Sequence, residues 1–74
     1  MSPTALRDGP YRFIFFSSDQ GEPPHIHVKR DAHIAKFWLN PVSIAKNMGF
    51  KEAELTRIAR LVINHQESLL EDWH

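Results

Sequence analysis

At 74 residues the chain has room for one domain, and a chain this short buries only about 60 per cent of the surface its unfolded form exposes, so a thin stability margin is expected. It contains no cysteine, which excludes a disulfide framework, a thiolate metal site and a cysteine nucleophile. Nine basic and nine acidic side chains give a formal net charge of zero, so no global field gathers polyanions.

Met1 to Pro10 carries Pro3, Gly9 and Pro10 with little periodicity and reads as an N-terminal arm. It lacks the apolar core of a signal peptide, and no apolar run approaches the roughly 20 residues that span a bilayer. A cytoplasmic protein without membrane contact is therefore expected. Tyr11-Arg-Phe-Ile-Phe-Phe16 is rich in aromatic, strand-favouring residues and stops at the turn formers Ser17 to Pro24. His25-Ile-His-Val-Lys-Arg30 alternates polar and apolar residues with period two, the mark of a half-buried strand. Asp31-Ala32 then turns the chain into His33 to Leu39, forming an antiparallel hairpin. Pro24 holds Pro23 extended, and the peptides before Pro23 and Pro24 are candidates for the cis form.

Asn40-Pro41 reads as an N-cap followed by the first residue of a helix, giving a short helix from about Pro41 to Met48 that ends at Gly49. From Lys51 to Trp73, Leu55, Ile58, Ala59, Val62, Leu69 and Trp73 recur at helical spacing and predict a long amphipathic helix. The expected fold is α+β over residues 1–74: a three-stranded antiparallel sheet followed by a short helix and a long C-terminal amphipathic helix packed on one face.

Strand alternation sets His25, His27 and Lys29 on one face and the core pair Ile26 and Val28 on the other. The same parity groups Ile34, Lys36 and Trp38 opposite Ala35, Phe37 and Leu39. His25, His27, Lys36 and Trp38 should then share a surface, which Arg12 joins if Phe13 and Phe15 are the core pair. Ile14 and Phe16 compete for that place. Cations hold phosphates, an aromatic ring stacks on a base, and imidazole ordinarily titrates close enough to physiological pH to move protons. His25, His27 and Lys36 are the candidate catalytic set; the plain alternative is the solvated outer face that any small sheet possesses. A His-x-His pair with Asp19, Glu22 or Asp31 would suit a metal, but no third ligand stands at a recognisable spacing, so neither a metal nor another cofactor is expected. His65 falls on the apolar stripe of the long helix, as a packed core histidine or as a residue reaching the Pro23-Pro24 loop.

With Phe15-Phe-Ser-Ser-Asp-Gln-Gly-Glu-Pro-Pro-His-Ile-His-Val28, Ala35-Lys-Phe-Trp-Leu39, Pro41-Val42, Gly49-Phe50, Glu54-Leu55, His65 and Leu69-Leu70…Trp73 in view, the chain resembles the bacterial domain-of-unknown-function family four-one-six-zero. The resemblance runs from about Pro3 to Trp73. It implies a small protein encoded beside a cognate partner in a toxin–antitoxin-like pair, acting on RNA as the toxin half. Glu22, His25, His27 and Lys36 stand at the family's polar signature positions. Lys51 replaces a better N-cap, so the resemblance implies a weakly capped helix start.

Two functional expectations follow. One is a toxin-like component that binds RNA through Arg12, His25, His27, Lys36 and Trp38, with Glu22 and His65 as further binding candidates, and cleaves it without a metal. The other is a non-enzymatic interaction module, antitoxin-like or regulatory, that uses the same face or a free sheet edge against its partner or against a second copy of itself.

Overall fold

Turn chemistry organises the chain. In the computed structural model, which describes residues 4–16 and 21–73, Gly9-Pro10, Asp31-Ala32 and Asn40-Pro41 each join two antiparallel strands. Gly9 and Asp31 take left-handed backbone angles, φ 57° and 55°, which glycine adopts freely and aspartate tolerates. The Asn40–Pro41 peptide is cis, whereas the peptides before Pro23 and Pro24 are not.

The strands are β1 (Thr4–Asp8), β2 (Tyr11–Ile14), β3 (His25–Arg30), β4 (His33–Leu39) and β5 (Val42–Met48). They form a five-stranded antiparallel sheet in the order β1-β2-β3-β4-β5, so each strand lies beside its neighbours in sequence. Helix α1 (Glu52–Asp72) packs across one face.

This architecture corrects the three-stranded sheet with a short helix before the long one. Thr4 to Asp8, read as part of an arm, pairs with β2, and the segment read as a helix from Pro41 to Met48 is strand β5. Asn-Pro serves a helix start and a tight turn equally well, and pairing with β4 decides between them.

The core lies between sheet and helix. Phe13, Ile26, Val28, Phe37 and Leu39 from the sheet meet Ile58, Val62 and Leu69 from α1, and all eight are at 0% exposure. Register builds this layer directly, because Phe13 opposes Val28 and Ile26 opposes Phe37. Each such side chain contributes about 1.5–3 kcal/mol by leaving water.

Lys51 occupies the N-cap of α1 without a side-chain hydrogen bond. Asn47 secures the approach to the helix instead, donating from Nδ2 to the Phe50 carbonyl at 2.9 Å and accepting from the Phe50 N–H at 3.1 Å. Gly49 between them has φ 106°, and a β-carbon there would press into the His33 ring.

A polar clamp ties the first turn of α1 to the sheet. Glu54 accepts hydrogen bonds from Arg30 Nε at 2.7 Å, Arg30 Nη2 at 2.9 Å and the Tyr11 hydroxyl at 2.7 Å. The Arg30 bonds, then the Tyr11 bond, pull the Glu54 carboxyl down from 4.5 to about 2, and burial with the Glu54 bond pushes the Tyr11 phenol up. Since the folded pKa lies below the unfolded one, the clamp's contribution is complete above pH 4.5 and fades as pH falls toward about 2. Glu54→Gln should therefore melt below the wild type at neutral pH, with the gap narrowing through that acid window. Thermal melts of both proteins across pH check this; a gap that stays constant with pH contradicts the clamp.

Candidate functional site

The face of the sheet away from α1 gathers most of the candidate residues read from the sequence. Because β3 and β4 pair with His25 opposite Trp38 and His27 opposite Lys36, the four residues grouped by alternation are immediate neighbours. Arg12 opposes Lys29 and Ile14 opposes His27 on adjoining strands, so Arg12 joins the same face. Phe13 takes the core position on β2. Ile14 is also buried, beside the histidines, while Phe15 and Phe16 leave the strand end in half-buried positions.

The two histidines occupy different environments. His25 is only 1% exposed, and its Nδ1–H donates to the Pro23 carbonyl at 2.9 Å. Its ring meets Trp38 at 5.7 Å between centroids and Trp73, just beyond the end of α1, at 4.9 Å. Trp73 also packs edge-on against Phe15 at 5.7 Å. His25 thus binds the helix end, the proline loop and the outer face together, an arrangement suited to positioning. His27 is half-buried, stacks on Phe16 with centroids 4.0 Å apart at 24°, and lines a cleft.

Lys36 Nζ donates to Glu22 Oε1 at 2.5 Å and sits 4.7 Å from the centre of the Trp38 ring. Glu22 therefore belongs to this face as the counter-charge of Lys36. His65 does not belong to it. Its Nε2 lies 2.9 Å from Asp8 Oδ2 and its ring packs on Phe13, which fastens β1 to α1 on the opposite side of the sheet. The adjacent Gln66 donates to the Leu39 carbonyl at 2.6 Å.

Two residues of the face escape a reading from sequence. Lys46 opposes Lys36 and Met48 opposes Ile34 across β4 and β5, and both line the cleft beside His27. Assigning the segment to a helix hides them. Alternation along a strand does not place Lys46 either, because a bulge between Ile44 and Lys46 reverses the parity: Val42 and Ile44 oppose the core residues Leu39 and Phe37, whereas Lys46 opposes Lys36. Among the described residues no group of three or more histidines and carboxylates converges to hold a metal ion. Asp19, considered as a ligand from sequence, lies outside them.

Fold and face together define a small α+β domain, a five-stranded meander backed by one long helix, with a basic and aromatic outer sheet surface. The chain belongs to the family described as domain of unknown function (DUF4160), whose pattern matches residues 11–74. The match begins at β2 and leaves β1 outside it. No match was found among curated proteins or among solved structures. Among the described residues no helix is long and apolar enough to cross a membrane.

Proposed function

We propose that this protein is the RNA-binding, toxin-like half of a two-protein module and engages single-stranded RNA with the outer face of its sheet. The observation that carries the reading is the cross-strand arrangement in which His27 faces Lys36, Lys36 faces Lys46, and Phe16 and Trp38 flank them. Cations along the face, Arg12, Lys29, Lys36 and Lys46, attract phosphates; Phe16 and Trp38 offer rings for bases. His27, in the wall of the cleft, is the imidazole placed to exchange protons with a bound ribose or phosphate, while buried His25 holds it in position. The family resemblance supports the module and the cognate partner. The test is RNA binding and cleavage by the purified protein with and without the product of the neighbouring reading frame. Binding that His27→Ala retains while abolishing cleavage supports an active site, and absence of both binding and cleavage overturns the reading.

One observation favours the second reading, a protein-interaction module. Strand β5 forms a sheet edge and carries Ile44 and Met48 at 49% and 56% exposure. A cognate partner that adds a strand there would cover both. Loss of partner binding in Ile44→Lys, with RNA affinity unchanged, assigns the edge to the partner and the face to RNA.

A further inference from the structure

The cleft on the outer face has a size and a chemistry of its own. It offers about 160 Å³, is open to solvent on one side, and its lining includes Phe16, His27, Ile34, Lys36, Lys46 and Met48. A cavity of about 150 Å³ accommodates one benzene ring, so this space fits a single six-membered ring. The stacked Phe16 and His27 rings supply a flat wall, and Ile34 and Met48, opposed across β4 and β5, supply apolar contact.

The rim calls for an anion. Lys36 and Lys46 stand directly opposite each other on adjacent strands, a like-charge pairing that costs stability. Glu22 compensates Lys36, whereas among the described residues no carboxylate pairs with Lys46. A phosphate between the two ammonium groups relieves the repulsion and leaves the attached base over the apolar part of the cleft.

We infer that the cleft is a subsite for one pyrimidine nucleotide, with the base against the Phe16–His27 wall and Met48 and the phosphate held by Lys46 with Lys36. This rests on the RNA reading and names the nucleotide class read by that face. A purine's second ring would project beyond the lined part of the cleft, where it gains no apolar contact. The cleft is open on one side, so the preference should be about fivefold, below what a closed pocket achieves against one extra group.

The test combines nuclear magnetic resonance titrations of the full chain with UMP, CMP, AMP and inorganic phosphate with fluorescence binding of oligouridine and oligoadenosine. UMP and CMP should shift signals of His27, Lys46 and Met48 and bind more tightly than AMP, a direction opposed to the stronger general stacking of purines. Lys46→Gln should weaken UMP and phosphate alike. Met48→Ala, at an exposed position where the fold tolerates change, enlarges the cleft and should bring AMP level with UMP. RNA binding without base preference, and indifferent to Met48→Ala, overturns the subsite and leaves the RNA reading standing. Pyrimidine-selective UMP binding without RNA binding keeps the subsite as a free-nucleotide site and removes the RNA reading. Silence of the cleft toward all four ligands overturns the subsite whatever the RNA result.

Discussion

Replacing Lys36 and Lys46 together with glutamine is expected to weaken single-stranded RNA binding about 25-fold at about 0.1 M salt. The magnitude follows from counterion release. Each phosphate neutralised on a single strand contributes about 0.7 to the slope of log affinity against log salt, so four cations give a slope of about −2.8 and losing two reduces it to about −1.4. If wild type and variant converge at about 1 M salt, the difference at about 0.1 M is about 10 to the power 1.4. The cations are Arg12, Lys29, Lys36 and Lys46, placed together by the pairing of β2, β3, β4 and β5. Zero formal net charge means that this local cluster, rather than the whole molecule, must supply the attraction. Glu22 supplies a control of opposite sign. Because it holds Lys36 at 2.5 Å, Glu22→Gln frees that ammonium and should strengthen binding. Fluorescence anisotropy over a salt series reads all three proteins; equal slopes for wild type and the double variant would place the RNA elsewhere.

Phe37→Ala should remove most of the protein's stability. Phe37 is at 0% exposure in β4, opposed by Ile26 on one side and Ile44 on the other, so truncation leaves a cavity that the flanking strands cannot close without breaking register. Such a change costs about 3–5 kcal/mol. A domain of this length holds about 4–11 kcal/mol in total, so the variant should lose at least about 12 °C in Tm or fail to fold. Ile63→Ser is the matching control, since Ile63 is 56% exposed and its loss should stay within about 0.5 kcal/mol. Thermal and urea unfolding followed by circular dichroism measure both. Comparable losses at Phe37 and Ile63 contradict the assigned core.

Legibility in the sequence followed the strength of local periodicity. The alternation of His25 to Arg30 and of His33 to Leu39 was enough to bring His25, His27, Lys36 and Trp38 together, because a two-residue turn between them leaves little freedom in register. The stripe of Leu55, Ile58, Val62 and Leu69 likewise marked α1. β1 was hidden because Thr4-Ala-Leu-Arg-Asp8 has weak strand propensity and is bracketed by Pro3 and Gly9; its strand conformation comes from pairing with β2. β5 was hidden because Asn40-Pro41 and Gly49 punctuate a helix as readily as two turns. Lys46 and Met48 were lost with it. The Glu54 clamp draws on Arg30 and Tyr11, 24 and 43 residues away in sequence, and no local pattern encodes such a meeting. Alternation also cannot distinguish a histidine lying in a cleft from one sealed beneath two tryptophans, and that difference separates the expected role of His27 from that of His25.

The most direct measurement is a chemical-shift map of isotope-labelled protein titrated with single-stranded RNA. The shifts should cluster on Arg12, His27, Lys29, Lys36, Trp38 and Lys46, leaving the solvent side of α1 around Ile63 unmoved. Shifts confined to the helix or to the Ile44 edge, or none at all, would contradict an RNA-binding outer face.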